Sequence, residues 1–118
     1  MMVAAWFIFL ALLFGVFDHL NSERNNPNQN IVTTIDGGIK EIVLTRNAYG
    51  HYVTSGLIND IDVVFLLDTG ATDVAISEKL ARKLNLKIIG QSMSQTANGV
   101  VPSYRAVLDS VTIGNITL

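Results

Sequence analysis

The chain has 118 residues, which gives room for one small domain and excludes a two-domain protein. Its formal net charge is −2, from 8 basic and 10 acidic residues with no block of either sign. Nucleic acid is therefore excluded as a partner, because no basic surface is available to hold a phosphate backbone. The absence of cysteine excludes a disulfide scaffold, a thiol nucleophile and a cysteine-ligated zinc site.

The front of the chain is a membrane segment by composition. Residues 1–17, MMVAAWFIFLALLFGVF, are all apolar or glycine, and every formal charge follows them. A helix of this length measures about 25 Å, close to the ~30 Å hydrocarbon core of a bilayer, so it is predicted to be an uncleaved transmembrane anchor. A cleaved signal peptide is the alternative, but it requires a charged start and small residues before the cleavage point, and Val16 and Phe17 end this run.

Membrane orientation is poorly specified by charge, because Arg24 is the only basic residue near the apolar run. The expectation that the domain faces the periplasm or the cell exterior comes from single N-terminal anchors in general. Residues 18–30 contain five asparagines, a proline and almost nothing apolar, which predicts a flexible linker. The folded domain is then predicted over residues 31–118, a size at which association with a second copy adds needed stability.

The domain is predicted to consist mostly of strands. Residues 31–35 and 39–45 flank a turn at Asp36-Gly37-Gly38, which predicts a hairpin. Residues 51–57 and 61–67 flank a second turn. The later part of 61–67 is apolar without alternation, which is typical of a strand buried on both faces.

The second half of the domain adds one helix and two hairpins. Residues 77–85 are predicted to be helical, with Ser77 at the N-cap and Glu78 in the first turn. Asn98-Gly99 is a strong hairpin signal between residues 92–97 and 100–108. A last hairpin is expected around Gly114-Asn115. The predicted fold class is therefore mainly β with one short helix, preceded by a transmembrane helix.

One carboxylate stands out. Asp68-Thr69-Gly70 directly follows the apolar strand, so Asp68 is expected to enter the interior of the domain at a turn that Gly70 permits. A buried carboxylate needs a hydrogen-bonding cradle or a second carboxyl group with which it shares a proton. The other aspartates of the domain lack an apolar approach and are interpreted as solvated turn residues: Asp60, Asp62, Asp73 and Asp109.

Histidine offers little catalytic or metal-binding chemistry. His19 and His51 are far apart in the sequence, which is a weak pattern for a metal site. No serine has the sequence context of a nucleophile that would pair with His51.

These motifs resemble a known family. Residues 65–72, FLLDTGAT, continued by VAIS at 74–77, resemble the active-site strand and loop of retropepsin-like (clan AA) aspartic proteases. The bacterial, membrane-anchored branch of that clan is the most similar. It shares the N-terminal span, the start Gly50-His51-Tyr52 and the hairpin Thr96-Ala97-Asn98-Gly99, in this order along the chain.

The resemblance implies a small closed β-barrel lobe and a homodimeric endopeptidase that hydrolyses peptide bonds in peptide or protein substrates. Each chain would give one Asp68 to a catalytic dyad that activates a water molecule, with no metal or cofactor. The active-site loop would be supported by Thr69, Gly70, Ala71 and Thr72. The hairpin tip at Ala97, Asn98 and Gly99 would be the flap that closes over the substrate.

The sequence departs from the family pattern after the flap. Family members continue into a further strand that ends in two apolar residues and glycine, and no such strand is identified after residue 99. The domain is therefore expected to be incomplete at its C-terminus. An alternative function follows, namely a catalytically inactive peptide-binding or structural module that keeps the retropepsin-like fold.

Overall fold

A computed structural model describes residues 2–118 of the chain. Its elements follow one another in the order α1 (Met2–Asn25), β1 (Thr33–Asp36), β2 (Ile39–Ile42), β3 (Tyr52–Ile58), β4 (Ile61–Leu67), α2 (Glu78–Lys83), β5 (Ile88–Thr96), β6 (Gly99–Ala106), β7 (Val111–Ile113) and β8 (Ile116–Thr117). The described chain is mostly β, with one short helix and one long apolar helix at the front, as predicted from the sequence.

The helix α1 is longer than the apolar run that predicted it. The stretch Ala4–Asn25 is long and apolar enough to cross a membrane, with none of it buried against the rest of the protein. Beyond Phe17 the helix continues for two polar turns, which carry an exposed pair between His19 Nε2 and Glu23 Oε1 at 3.4 Å. Length and apolar character make α1 a candidate membrane span.

The prediction of a flexible linker over residues 18–30 is wrong. Residues 18–25 are helical, and Asn26 and Asn28 are buried at 8% and 6% exposure. Both residues are bonded to β3: the side-chain Nδ2 of Asn26 donates to Ser55 Oγ at 3.0 Å, and the backbone oxygen of Asn28 accepts from the backbone N–H of Ser55 at 3.3 Å. These bonds offset the ordering entropy that a polar composition alone could not offset.

A four-stranded antiparallel sheet in the order β4-β3-β7-β8 forms the centre of the domain. In its main hairpin Tyr52 pairs with Leu67 and Ile58 pairs with Ile61, across a turn in which Asn59 and Asp60 both have positive φ. β7 contacts only the end of β3, because it pairs with residues 57 and 58. Nearer the start of β3, Asn28 forms a parallel bridge with Thr54.

The buried core is small. Among the described residues, Ile58 and Leu84 are the buried apolar side chains, and Thr54 is fully buried beside Asn26 and Asn28. The predicted closed barrel is not formed, because the hairpins β1-β2 and β5-β6 are separate two-stranded sheets. Both hairpins leave apolar side chains exposed, including Ile35, Ile39, Ile88 and Met93. The strands are thus the predicted ones, but they do not close around a common core.

The remaining local predictions hold with shifted boundaries. Ser77 caps α2, and its Oγ accepts a hydrogen bond from the backbone N–H of Leu80 at 3.2 Å. Asn85, at φ 53°, ends the helical segment. The β5-β6 hairpin turns at residues 97 and 98, with Thr96 paired to Gly99, so Gly99 belongs to β6 rather than to the turn.

Candidate active site

The strand that leads into the Asp-Thr-Gly motif is exposed on one face. In β4 the side chains of Val63 and Phe65 are half-buried, whereas Val64 and Leu66 are each 65% exposed. The prediction that this strand is buried on both faces is therefore wrong. β4 is an edge strand of its sheet, and little of the described chain covers its outer face.

Asp68 follows β4 at this open edge and is exposed, so the prediction of a buried carboxylate is also wrong for the single chain. The loop itself holds one carboxylate oxygen, because the backbone N–H of Gly70 donates to Asp68 Oδ1 at 2.9 Å. The N–H of Ala71 donates to the backbone oxygen of Asp68 at 3.1 Å, which closes the turn. The carboxylate is thus oriented by one backbone hydrogen bond from its own loop and remains accessible from outside.

The other loop residues predicted to support the site are exposed as well. Thr69, Ala71 and Thr72 lie on the surface, and Thr72 Oγ1 donates to Asp73 Oδ2 at 3.4 Å. Gly70 has no positive φ, and a Cβ added there would lie 3.4 Å from Asp68 Oδ1. One chain alone therefore does not require glycine at this position.

A polar network orders the neighbouring end of β3. β3 begins at Tyr52, which pairs with Leu67, the residue directly before Asp68. Asn47 Oδ1 accepts hydrogen bonds from the backbone N–H groups of His51 at 2.9 Å and Tyr49 at 3.0 Å. The guanidinium of Arg46 lies 5.3 Å from the centre of the Tyr52 ring, and its Nε donates to the Tyr52 hydroxyl at 3.2 Å.

Asn28 and Asn47 are the residues that sequence reasoning missed. The side chain of Asn28 makes three hydrogen bonds to backbone groups: Nδ2 donates to Thr45 O at 2.8 Å and to Val53 O at 2.7 Å, and Oδ1 accepts from Thr45 N at 2.8 Å. Asparagine is common in turns and caps because its amide mimics the peptide group. At position 47, three residues before Gly50, that property could have indicated a turn. Around position 28 several asparagines follow one another, so the sequence did not single out Asn28.

The predicted flap lies at the tip of the longest hairpin. Ala97 and Asn98 are exposed, and Thr96 Oγ1 donates to Gly99 O at 2.8 Å across the turn. Within residues 2–118 the hydrogen bonds of this hairpin are internal, and none joins it to the Asp68 loop. Also within that range, no three histidine or acidic side chains are grouped closely enough to hold a metal ion.

Comparison with known proteins decides the family. A family model described as aspartyl protease matches residues 54–118, more than half of the chain. The chain belongs to the aspartyl protease family. The matched region of this aspartyl protease homologue begins in β3 and includes the Asp68 loop and the β5-β6 hairpin, so the retropepsin-like resemblance predicted from the sequence is confirmed.

Two curated relatives are uncharacterized proteins. An uncharacterized protein of Rickettsia prowazekii, RP867, is 32% identical over 79 residues, which cover 64% of this chain and 34% of the relative. An uncharacterized protein in the cobV 5′ region of a Sinorhizobium species is 32% identical over 96 residues, covering 77% of this chain and 40% of the relative. The chain thus spans about a third to two fifths of the length of these relatives. No solved structure matches it.

Proposed function

We propose that the chain is a membrane-anchored aspartic endopeptidase that acts as a homodimer. The observation that carries the proposal is the position of Asp68 within the region matched by the aspartyl protease family. Its carboxylate is exposed at the end of an edge strand, and the N–H of Gly70 holds Oδ1. An oriented, accessible carboxylate of this kind is suited to meet a second carboxyl group from another copy.

The proposed chemistry is that of a coupled pair of carboxyl groups. Two Asp68 side chains about 3 Å apart cannot both ionise easily, so they hold one proton between them. The ionised carboxylate takes a proton from a bridging water as the water attacks the peptide carbonyl carbon. The protonated partner donates to the carbonyl oxygen and later helps to protonate the leaving amine.

The neighbouring residues are given supporting roles in this proposal. Thr69 joins the two loops across the two-fold axis through hydroxyl hydrogen bonds, and Gly70 allows close approach of the loops. Ala71 and Thr72 pack beside the dyad. The tip residues Ala97, Asn98 and Gly99 form the flap, which closes over an extended peptide and excludes water.

The membrane location is proposed from α1. Residues 1–17 form the membrane anchor, and residues 18–30 connect it to the protease domain at residues 31–118. The protease domain faces the periplasm or the cell exterior. Two copies anchored in one bilayer have a raised effective concentration, which favours the dimer that the site needs. The small core of the single chain also supports association, since small domains gain stability from it.

A cleavage assay tests the proposal. The full chain in detergent micelles is given a peptide library between pH 3 and 7, together with Asp68→Asn and Asp62→Asn variants. Asp62 is the matched control, because it is exposed on β4, the strand that Asp68 follows, and its change removes the same charge. Since the dyad supplies general acid–base catalysis, we expect Asp68→Asn to lower the rate by about 10²–10⁴-fold and Asp62→Asn to leave it unchanged.

A second candidate is a peptide-binding module without catalysis, favoured by one observation. β4 has a free edge in the four-stranded sheet, and an extended peptide can add to such an edge through backbone hydrogen bonds. Binding of library peptides without cleavage by either the parent or the Asp62→Asn chain supports this candidate over the endopeptidase.

A further inference from the structure

The end of α1 is fastened to the same end of the sheet that carries Asp68. The last two carbonyl oxygens of the helix accept hydrogen bonds from the loop before β3: Ala48 N donates to Arg24 O at 3.1 Å, and Asn47 Nδ2 donates to Asn25 O at 3.0 Å. Asn47 also forms two hydrogen bonds with His51: the backbone N–H of Asn47 donates to His51 O, and Asn47 Oδ1 accepts from the backbone N–H of His51. His51 precedes Tyr52, and Tyr52 pairs with Leu67, the residue before Asp68, so few residues separate the helix end from the proposed site.

The segment that follows the helix strengthens this junction. Asn26 N donates to Ser22 O at 2.9 Å, and Asn26 Nδ2 donates to Ser55 Oγ at 3.0 Å, so one residue connects the last helical turn to β3. Asn28 then bonds the backbone on both sides, at Thr45 and Val53. Buried, multiply bonded amides of this kind hold one geometry, because breaking them leaves polar groups unpaired.

The junction sets the distance of the site from the membrane. The apolar run ends at Phe17, and α1 continues to Asn25, which at 1.5 Å per residue is about 12 Å beyond the run. The headgroup layer of a bilayer is roughly 5–8 Å thick on each side. The helix end, and with it the Asp68 end of the sheet, therefore lies just outside the headgroups when α1 spans the bilayer.

We infer that the α1–sheet junction holds the Asp68 site at a fixed, small height above the bilayer, and that its substrates are extended segments of membrane-bound proteins close to the membrane surface. This inference rests on the proposed endopeptidase function. Asn28 and Asn47 are positioning residues in it: they do not touch the substrate, but they determine where the site can reach.

The rigidity of the junction is measured without any cleavage. Because the chain has no cysteine, Asn21→Cys with Asp62→Cys gives two unique spin-label positions, both exposed, on α1 and β4. In the full labelled chain, diluted with an excess of unlabelled chain in lipid nanodiscs so that distances between copies do not contribute, we expect one narrow distance distribution by pulsed electron paramagnetic resonance. Asn28→Ala is expected to broaden it, whereas Asn30→Ala, an exposed neighbour, leaves it narrow. A broad distribution in the parent protein overturns the inference.

Reach is measured with substrates anchored in the same vesicles. A cleavable segment is held from the bilayer by proline-rich spacers of about 4, 10 or 20 residues, which span about 12, 31 and 62 Å. We expect the shortest spacer to be cleaved at least tenfold faster than the longest. Equal rates for all three spacers overturn the inference and leave the endopeptidase function standing, whereas no cleavage of any reporter overturns the proposed function itself and the substrate class with it.

A matched pair of insertions links the two measurements. Twelve Gly/Ser residues between Asn25 and Asn26 separate helix from sheet by an r.m.s. distance of about 19 Å, so the preferred spacer is expected to change from about 4 to about 10 residues. The same insertion between Asn30 and Ile31 lengthens the chain equally but leaves the junction intact. An unchanged preference with the first insertion, or the same change with both, contradicts a junction that sets the height.

Discussion

At the scale of single residues, buried asparagine side chains supply stabilising contacts where larger domains use apolar side chains. Asn28 is 6% exposed and bonds to backbone groups of two different segments. Its side chain takes the place of a strand backbone between residue 45 and β3. Because the apolar core is limited to a few side chains, such bonds account for much of the order at this end of the sheet.

Asn28→Ala is expected to destabilise the junction by about 2–3 kcal/mol, since three hydrogen bonds of roughly 1 kcal/mol each are lost and their buried partners stay unpaired. Amide hydrogen exchange of the full chain in micelles measures this change at Thr45 and Ser55. Asn30→Ala is the control, and equal protection of these amides in the two variants would show that Asn28 is not structural.

Gly56→Ala is expected to detach β7 from β3. A Cβ at position 56 would overlap Thr112 O and lie 2.8 Å from Phe65 Cε2, and overpacking of this kind costs about 1–3 kcal/mol. Gly90→Ala is the matched control, because its Cβ would meet Arg105 at an ordinary 3.9 Å. Denaturant unfolding followed by circular dichroism compares the two, and a midpoint lowered equally by both would refute the steric argument.

At the scale of elements, local signals determine which segments become strands or helices. α2 has only six residues, and its start depends on Ser77 Oγ, which accepts a hydrogen bond from Leu80 N. The Asn59-Asp60 turn of β3-β4 needs two left-handed residues, and asparagine and aspartate are the non-glycine residues that adopt that conformation most readily.

Ser77→Ala is expected to reduce the stability of α2 by about 1 kcal/mol, because the N-cap bond is lost. Ser77→Asp restores an acceptor and is expected to recover the loss. Hydrogen exchange at Leu80 and Ala81 reports the helix directly. If Ser77→Asp exchanges as fast as Ser77→Ala, the cap does not stabilise the helix.

At the scale of the whole molecule, the chain is extended. Its radius of gyration is 19.1 Å, whereas a compact domain of this length has about 13–14 Å. The separate hairpins and the long exposed helix explain the difference, since neither packs into a common core. The proposed dimer adds contacts between two chains to those within each chain.

Thr69→Val is expected to weaken the proposed dimer. By symmetry two hydroxyl hydrogen bonds are lost, each worth roughly 1 kcal/mol, so the dissociation constant rises by about ten- to thirtyfold. Analytical ultracentrifugation in density-matched detergent measures it. The control is Thr34→Val on β1, where an exposed threonine is changed in the same way. A dissociation constant that Thr69→Val leaves unchanged removes Thr69 from the interface.

Sequence patterns alone were enough to predict the individual hairpins, α2 and the family, and to name the candidate site residues. Turn glycines, the Ser77 cap and strand alternation act over a few neighbouring residues, so the hairpins and α2 could be located from them. The Asp68-Thr69-Gly70 motif pointed to the family that the comparison confirmed.

The burial of each strand and the partners of each polar side chain depend on the three-dimensional arrangement of the elements. An apolar run such as residues 63–67 predicts burial only if other segments cover both its faces, and here the strand is at a sheet edge, so Asp68 is exposed. The polar composition of residues 18–30 predicted disorder, yet Asn26 and Asn28 are ordered by partners 17–29 positions away. The Ser55 hydroxyl accepts from the Asn26 amide, and backbone groups of Thr45 and Val53 bond to the Asn28 amide. Such partners are brought together only by folding, since they depend on strand register and on contacts between segments that are distant in the sequence.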